Sequence, residues 1–431
     1  MLEKIFRDPI HMDIMVKDPI IYDLINTKEF QRLRRIKQLG TTSYTFHGGE
    51  HSRFSHCLGV YNIARRMVER FEQVYPETWK AEENLVTMAG ALLHDVGHGA
   101  YSHTFERLFG TDHEALTQAI ITNPETEVYQ VLVRVSPDFP QKVASVINHT
   151  YPNPQVVQLI SSQIDADRMD YLLRDSYYTG VNYGQFDLTR ILKSMMPVET
   201  GIVFSQSGMH AVEDYLVSRY QMYMQVYFHP ASRAIEVLLQ KLLDRAKALF
   251  EEQTAYFELT SPNLLPFFRQ AYTLSDYLKL DDGVMNTYFQ TWMTSPDPIL
   301  SDLADRFVNR KIFKSATFEA GQEALLLSLD QIVASVGFDP AYYTAVHNNF
   351  DLPYDIYRPE VKNPRTQIEI IQKDGTILEL SQLSPLVQTL AGTKHGNSRY
   401  YFLKDMLEAN DLFAAEKQSF ISHIRNDRLV P

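Results

Sequence analysis

Ala91-Leu92-Leu93-His94-Asp95-Val96-Gly97-His98-Gly99-Ala100-Tyr101-Ser102-His103 sets four ionisable side chains, His94, Asp95, His98 and His103, at the end of an apolar run from Met88 to Leu93. The run reads as the last turns of a buried helix, so its polar tip is carried against a core. Imidazole and carboxylate together suit a divalent ion such as Zn, Mn or Fe. His94 and His98 share a helix face only if the helix continues through Gly97. Gly97 and Gly99 instead predict a break that turns the later histidines back over a pocket mouth. One His-Asp pair alone marks a capped turn in most proteins. Three of the chain's 14 histidines within ten positions put metal chemistry on an equal footing.

The composition narrows the setting. A chain of 431 residues can bury a substantial core, and its 45% hydrophobic and 22% charged residues are ordinary for a soluble globular protein. Met1-Leu2-Glu3-Lys4 lacks the apolar region of a signal peptide, and no stretch approaches the roughly 20 apolar residues of a bilayer span. The single cysteine, Cys57, cannot form an internal disulfide. These features predict a cytoplasmic protein without a membrane partner. A net charge of −12 argues against broad binding to nucleic-acid backbone. Local basic clusters, Arg32, Arg34, Arg35 and Lys37, then Arg306, Arg310, Lys311 and Lys314, suit small anions such as nucleotides.

Outward from the quoted stretch, the pattern is mainly helical. Asn26-Thr27 caps a segment through Phe30, Leu33 and Ile36. Ser52 leads into a helix carrying Leu58, Tyr61, Ile63 and Met67. A long helix is predicted from Val156 to about Tyr178, closing on Gly180, with Asp167, Tyr171, Arg174 and Asp175 on one face. Ile164, Met169 and Leu172 imply that it is buried, and buried charges need partners or a metal. A hairpin at Gly201–Phe204 precedes a helical stretch to about Phe250, where Tyr220, Tyr223 and Tyr227 share a face and Pro230 kinks or breaks the helix. Pro353, Pro359 and Pro364 mark an extended arm, and Asp374-Gly375 predicts a type I′ hairpin turn. Neither GxxxxGK[ST] nor GxGxxG occurs.

A divalent ion needs more ligands than His94 and Asp95, and His56 and Asp167 are the candidates. Two imidazoles and two carboxylates leave open positions for water or a phosphate oxygen, the arrangement of metal-assisted hydrolysis. His98, His103 and His113 then serve as proton donors or phosphate contacts, with Glu106 or Glu114 orienting an imidazole.

RFSHCLGV (53–60), LLHDVGHGAYSH (92–103) and DADRMDYLLRDS (165–176), in that order, resemble the HD-domain phosphohydrolases. More narrowly they resemble the deoxynucleoside triphosphate (dNTP) triphosphohydrolases, including the mammalian enzyme that joins a SAM domain to an HD domain. The likeness runs from KIFRDPIH (4–11) through FQRLRRIKQLG (30–40) to about Lys314, without a SAM domain. It implies a mainly α fold. Residues 1–345 would form the HD-type catalytic domain, with its metal core at about 50–180 and a regulatory segment at 1–40. Residues 346–431 would form a small α+β subdomain containing the hairpin.

The resemblance implies metal ligation by His56, His94, Asp95 and Asp167, the ion being Mg, Mn, Fe or Zn. His103 would lie near the α-phosphorus, with His98, His113, Arg53 and Arg168 on the phosphates. Gln38 and Asp175 would hold the sugar 3′-hydroxyl, Leu39 and Tyr227 would crowd C2′, and Tyr171 would contact the sugar. The implied reaction splits a dNTP into deoxynucleoside and tripolyphosphate. An activating nucleotide at a homotetramer interface would meet Lys4, Ile5, Asn26, Gln31, Arg34, Arg190, Arg310 and Lys314. Asn26 stands where the mammalian enzyme has a guanine-reading aspartate. Ser207, Met209, His229 and Pro230 replace basic residues of a second regulatory nucleotide, so one dGTP-type activator per interface is expected. The rival enzymatic reading is hydrolysis of nucleoside monophosphates or cyclic nucleotides. The rival without chemistry is a nucleotide sensor or single-stranded nucleic-acid binder.

Overall fold

Two helices meet at their polar ends. In the computed structural model, which describes residues 3–351, 367–390 and 395–430, Ser52 stands at the N-cap of α1 (Arg53–Val74). The helix α2 (Asn84–Leu93) delivers the apolar run into the core and stops with it, at His94. Beyond it, the Val96 N–H bonds Leu93 O and the His98 N–H bonds Asp95 O, two tight turns that fold the histidines back. Gly97 acts through close approach, not through a left-handed backbone. A Cβ there would lie 2.3 Å from Thr117 N and 2.4 Å from His113 O.

The next helices are α3 (Ser102–Phe109) and α4 (His113–Thr122). The single helix predicted from Val156 is two: Pro154–Ile160 and α5 (Ala166–Thr179), which ends at Gly180. Asp165 causes the break, because its carboxylate accepts from Arg168 N–H at 2.7 Å and Ser162 N–H at 2.8 Å. An N-cap side chain of this kind competes with the helix ladder. Further on, α6 (Met209–Met222) runs into a π-helical turn at Tyr223–Tyr227, and Pro230 opens α7 (Pro230–Leu249) instead of kinking one helix.

The strands are β1 (Lys4–Asp8), β2 (Met12–Val16), β3 (Met195–Val198), β4 (Gly201–Ser205), β5 (Lys314–Thr317), β6 (Thr344–Asp351), β7 (Glu369–Ile371), β8 (Ile377–Glu379), β9 (His395–Phe402), β10 (Ile424–Arg425) and β11 (Arg428–Leu429). β1 and β2 form a hairpin with Asp8 opposite Met12. The order β3-β4-β7-β8 pairs β4 parallel to β7, and the order β10-β11-β5-β9-β6 pairs β9 with β5 and β6. Both larger sheets therefore draw strands from either side of residue 345. The turn between β7 and β8 is not type I′: the Gln372 N–H bonds Thr376 O, and only Gly375, at φ 87°, is left-handed. That is a three-residue loop closed by a glycine. The proline arm at Pro353, Pro359 and Pro364 lies outside the described residues.

The fold is mainly α, with two hydrophobic cores among the described residues. One joins α1, α2 and α5 to Ile368, Ile370 and Leu380, and the other joins α7 to Phe289, Phe307 and Tyr400. Tyr101 and Phe105, just past the quoted histidines, belong to the second core. Tyr171 and Tyr227, packed against the first core, and Tyr101 of the second line one cavity.

Candidate metal centre and active site

His56 projects from the first turn of α1, His94 and Asp95 from the end of α2, and Asp167 from the first turn of α5. One ligand atom each of His56, His94 and Asp95 lies within 4.8 Å of the other two. Asp167 Oδ1 joins them, 3.0 Å from His56 Nε2 and 3.5 Å from His94 Nε2. The Nδ1 atoms face away: that of His56 is 2.8 Å from Asp170 Oδ2, and that of His94 is 2.9 Å from Ala91 O. Both acceptors require an Nδ1 proton, so in the neutral rings that bind a cation each Nε2 turns its lone pair toward the shared point. Both Nε2 atoms are buried without a hydrogen-bond partner. Two orphaned lone pairs facing two carboxylates fit a divalent cation.

Charge follows from this packing. Burial opposes a proton on His56, but Asp167 and Asp170 outweigh it and hold its pKa at about 10. Burial likewise opposes the Asp167 charge, and His56 and His94 outweigh it, keeping that carboxylate well below its usual range. A bound cation takes over the role of those protons, so metal binding at this centre is coupled to proton release.

Beside the centre sits a second group, His98, Glu106 and His113. The His113 Nδ1 and its backbone N–H reach Glu106 Oε1 at 2.8 and 3.0 Å. Burial and the neighbouring Arg53 push His98 down to about 3, while Glu106 overcomes burial and raises His113. Arg53 pairs with Asp95 and donates to Ser102 Oγ at 2.8 Å. Both groups open on one cavity of about 410 Å³, which Gln38, Leu39, Tyr171, Asp175 and Tyr227 also line.

Residues 53–175 match the HD domain, and residues 186–408 match the HD associated region. A Bacillus subtilis protein, uncharacterized YwfO, is 52% identical over 94% of this chain and 93% of its own. The chain belongs to the HD-domain family. A crystal structure of a Bacteroides thetaiotaomicron phosphohydrolase superposes with a TM-score of 0.78 at 28% identity, covering 93% of this chain and 99% of that one. A Dictyostelium discoideum protein named as a deoxynucleoside triphosphate triphosphohydrolase SAMHD1 homolog is 32% identical over 55% of this chain and 48% of its own.

Within the HD domain, several expected residues stand elsewhere. Glu114 is exposed on α4, because Asp112 caps that helix and turns only His113 toward the cavity, so of the two glutamates it is Glu106 that meets an imidazole. Arg168 turns back to buried Asp165 and to Ser162 O at 2.5 Å, away from the cavity lining. Arg174 faces Asp8 and Asp170. The His103 side chain lies outside the described residues.

Other residues escaped the sequence reading. His51 Nε2 is 2.7 Å from Asp175 Oδ1, and the Tyr227 hydroxyl donates to Asp175 Oδ2 at 2.7 Å. Arg219 is buried, its Nε has no hydrogen-bond partner, and it lies over the Tyr223 ring at 5.6 Å, beside the cavity wall. Asp170 lies inside the quoted block DADRMDYLLRDS, one turn from Asp167, which was the available signal. His51 and Arg219 have none in the spacing.

The expected regulatory residues each have local contacts. Asn26 donates to Tyr22 O, Lys4 lies over the Tyr22 ring, and Arg34 donates to Gln31 Oε1, with Ile5 exposed on β1. Arg190 donates to Ser207 O and Arg310 to Tyr44 O, and Lys314 is exposed at the start of β5. No described helix is long and apolar enough to cross a membrane.

Proposed function

We propose that this HD-domain protein is a metal-dependent dNTP triphosphohydrolase of the cytoplasm, cleaving at the α-phosphate to deoxynucleoside and tripolyphosphate. The observation that carries the reading is Gln38, whose Oε1 is buried without a partner in the cavity that the cation cluster also opens on. A lone acceptor there, with the Asp175 carboxylate lining the same cavity, suits a sugar hydroxyl next to a phosphate-binding centre. Relatives named as dNTP triphosphohydrolases, from Dictyostelium and chicken, support it, although the chain spans only 48% and 51% of their lengths.

His56, His94, Asp95 and Asp167 would hold the ion, which when bound supplies Lewis acidity toward phosphorus and a more acidic water. Arg53 sets a positive charge beside that point and Arg219 a second one along the cavity wall, both suited to phosphate oxygens. His113, whose proton affinity Glu106 raises, donates a proton to the departing oxygen, while neutral His98 accepts a hydrogen bond or donates one. Tyr227, held by Asp175, closes the space beside the sugar. A dGTP-type nucleotide bound between subunits of a homotetramer, at Lys4, Ile5, Asn26, Gln31, Arg34, Arg190, Arg310 and Lys314, completes the proposal.

The test is incubation with each dNTP and Mn(II), with and without dGTP, followed by anion-exchange and phosphorus NMR analysis of products. Tripolyphosphate in equal amount to deoxynucleoside is expected. Nucleoside monophosphates are incubated in parallel, and orthophosphate released from them with every dNTP left intact overturns the reading.

A further inference from the structure

Asp170 is fully buried on α5 and collects donors from three directions. His56 Nδ1 meets its Oδ2 at 2.8 Å, His11 Nε2 meets its Oδ1 at 2.6 Å, and Arg174 bonds both oxygens, Nε at 2.8 Å and Nη2 at 3.0 Å. Arg174 continues to Asp8, with Nη1 at 2.8 Å. Asp8 and His11 both stand at the β1–β2 turn. Asp8 Oδ1 also accepts the Ile10 and His11 N–H groups at 2.9 and 3.0 Å, which fixes that turn with the His11 side chain only 3% exposed. On the α1 side, space for the cluster exists because residue 59 is glycine. A Cβ there would lie 1.8 Å from Asp170 Oδ1 and 2.5 Å from Arg174 Nη2.

We propose that His11 is a positioning residue for the metal ligand His56, acting through Asp170, so that the N-terminal hairpin helps set how tightly the centre holds its cation. A carboxylate behind a ligating imidazole fixes its tautomer and ring orientation and raises its basicity. The Asp170 carboxylate performs this for His56 only while its plane is held. Without His11, Oδ1 keeps Arg174 alone, and the carboxylate swings toward the guanidinium at the expense of the His56 bond. A segment more than 40 residues before His56 in the chain thereby becomes part of the metal centre. The inference depends on the metal ligands and not on which phosphate ester is hydrolysed.

The test reads metal binding directly, by electron paramagnetic resonance of free Mn(II) during titration of the chelator-stripped full chain. His11→Phe keeps a buried ring and removes the donor; His11→Gln restores a donor near the Nε2 position; Arg7→Ala breaks the exposed Arg7–Asp13 pair of the same hairpin. His11→Phe is expected to weaken Mn(II) binding about tenfold or more, the usual cost of losing a partner behind a ligand, with His11→Gln and Arg7→Ala near wild type. Wild-type affinity in a folded His11→Phe overturns the proposal, as does an equal loss in Arg7→Ala, which would mark mere loosening of the hairpin. If His11→Phe does not fold, His11→Asn against His11→Gln decides: the shorter amide cannot reach Asp170, and equal affinities overturn the proposal. A wild-type protein that binds no Mn(II) overturns it together with the metal centre, whereas absence of tripolyphosphate in the product assay bears on the proposed substrate alone.

Discussion

His98 and His113 stack face to face with ring centroids 3.9 Å apart, yet their surroundings move their proton affinities in opposite directions. Burial and Arg53 keep His98 neutral, at about 3, and Glu106 raises His113 above an ordinary imidazole. Of the two rings, His113 is the one its surroundings favour as the proton carrier, so the stack does not hold two imidazoliums.

A pH dependence follows. If His113 is the acid, activity is lost as pH rises through its raised pKa. Glu106→Gln removes the charge that outweighs burial, so the alkaline limb of kcat/KM should move to lower pH, with a smaller shift on the acid side. A limb unmoved in Glu106→Gln would assign that proton to another group.

The cation site gives a second expectation. His94→Ala should abolish turnover at little cost in stability, because His94 donates one hydrogen bond, to Ala91 O, and its Nε2, 3.4 Å from Asp95 Oδ1 and 3.5 Å from Asp167 Oδ1, makes none. Loss of one such bond costs about 1 kcal/mol, partly offset by removing the orphaned nitrogen. Urea unfolding and product release measured on the same preparation check both halves. Retained turnover in His94→Ala would remove this residue from the ligand set.

The cluster proposed to hold the ion is legible because its pieces are local: an apolar run ending in His-Asp, a histidine at a helix start, a carboxylate in a first helical turn. The four-residue face of α5 was legible only in part. At about 100° per residue Asp167, Tyr171 and Asp175 turn one way, toward the cavity, while Asp170 and Arg174 lie on the flank. A helical wheel draws one broad polar stripe where the fold uses two, and nothing in the spacing says that Asp8 and His11 cover the second. Asp165 misled for a related reason, since a capping carboxylate inside an apolar pattern looks like a helix interior until its backbone partners are seen. Glu114 and Glu106 were equivalent by residue type, and only the capping geometry of α4 separates them.

Arg174 carries a stability prediction that follows from this flank. It is fully buried between Asp8 and Asp170, whose charges it balances. Burial opposes ionisation of Asp170, and Arg174, His11 and His56 overcome it, holding that carboxylate well below its ordinary range. Arg174→Ala leaves carboxylates buried with too few donors and should destabilise the fold by about 3–5 kcal/mol, the cost of breaking a buried pair from one side. Because the Asp170 pKa is depressed in the fold, its contribution is present above the unfolded value and is lost as pH falls. The gap between wild type and Arg174→Ala in urea midpoint should therefore narrow on acidification. A gap independent of pH would mean that Arg174 acts through packing alone.

The side of the cavity proposed to take the sugar yields the sharpest test of substrate. Tyr227 is edge-on to Tyr223 and Tyr171, with centroids 5.0 and 6.2 Å away, and its hydroxyl is tied to Asp175. A ring fixed from three sides yields little to an extra hydroxyl at C2′, whereas a movable one would admit it. Tyr227→Ala should therefore lower the preference for dATP over ATP, measured as the ratio of kcat/KM values, by about tenfold or more. Tyr227→Phe keeps the ring and loses only the tie to Asp175, which His51 still holds, so its ratio should stay much closer to wild type. An unchanged ratio in Tyr227→Ala, with turnover intact, would show that deoxyribose is recognised elsewhere in the cavity, at Leu39 or beyond.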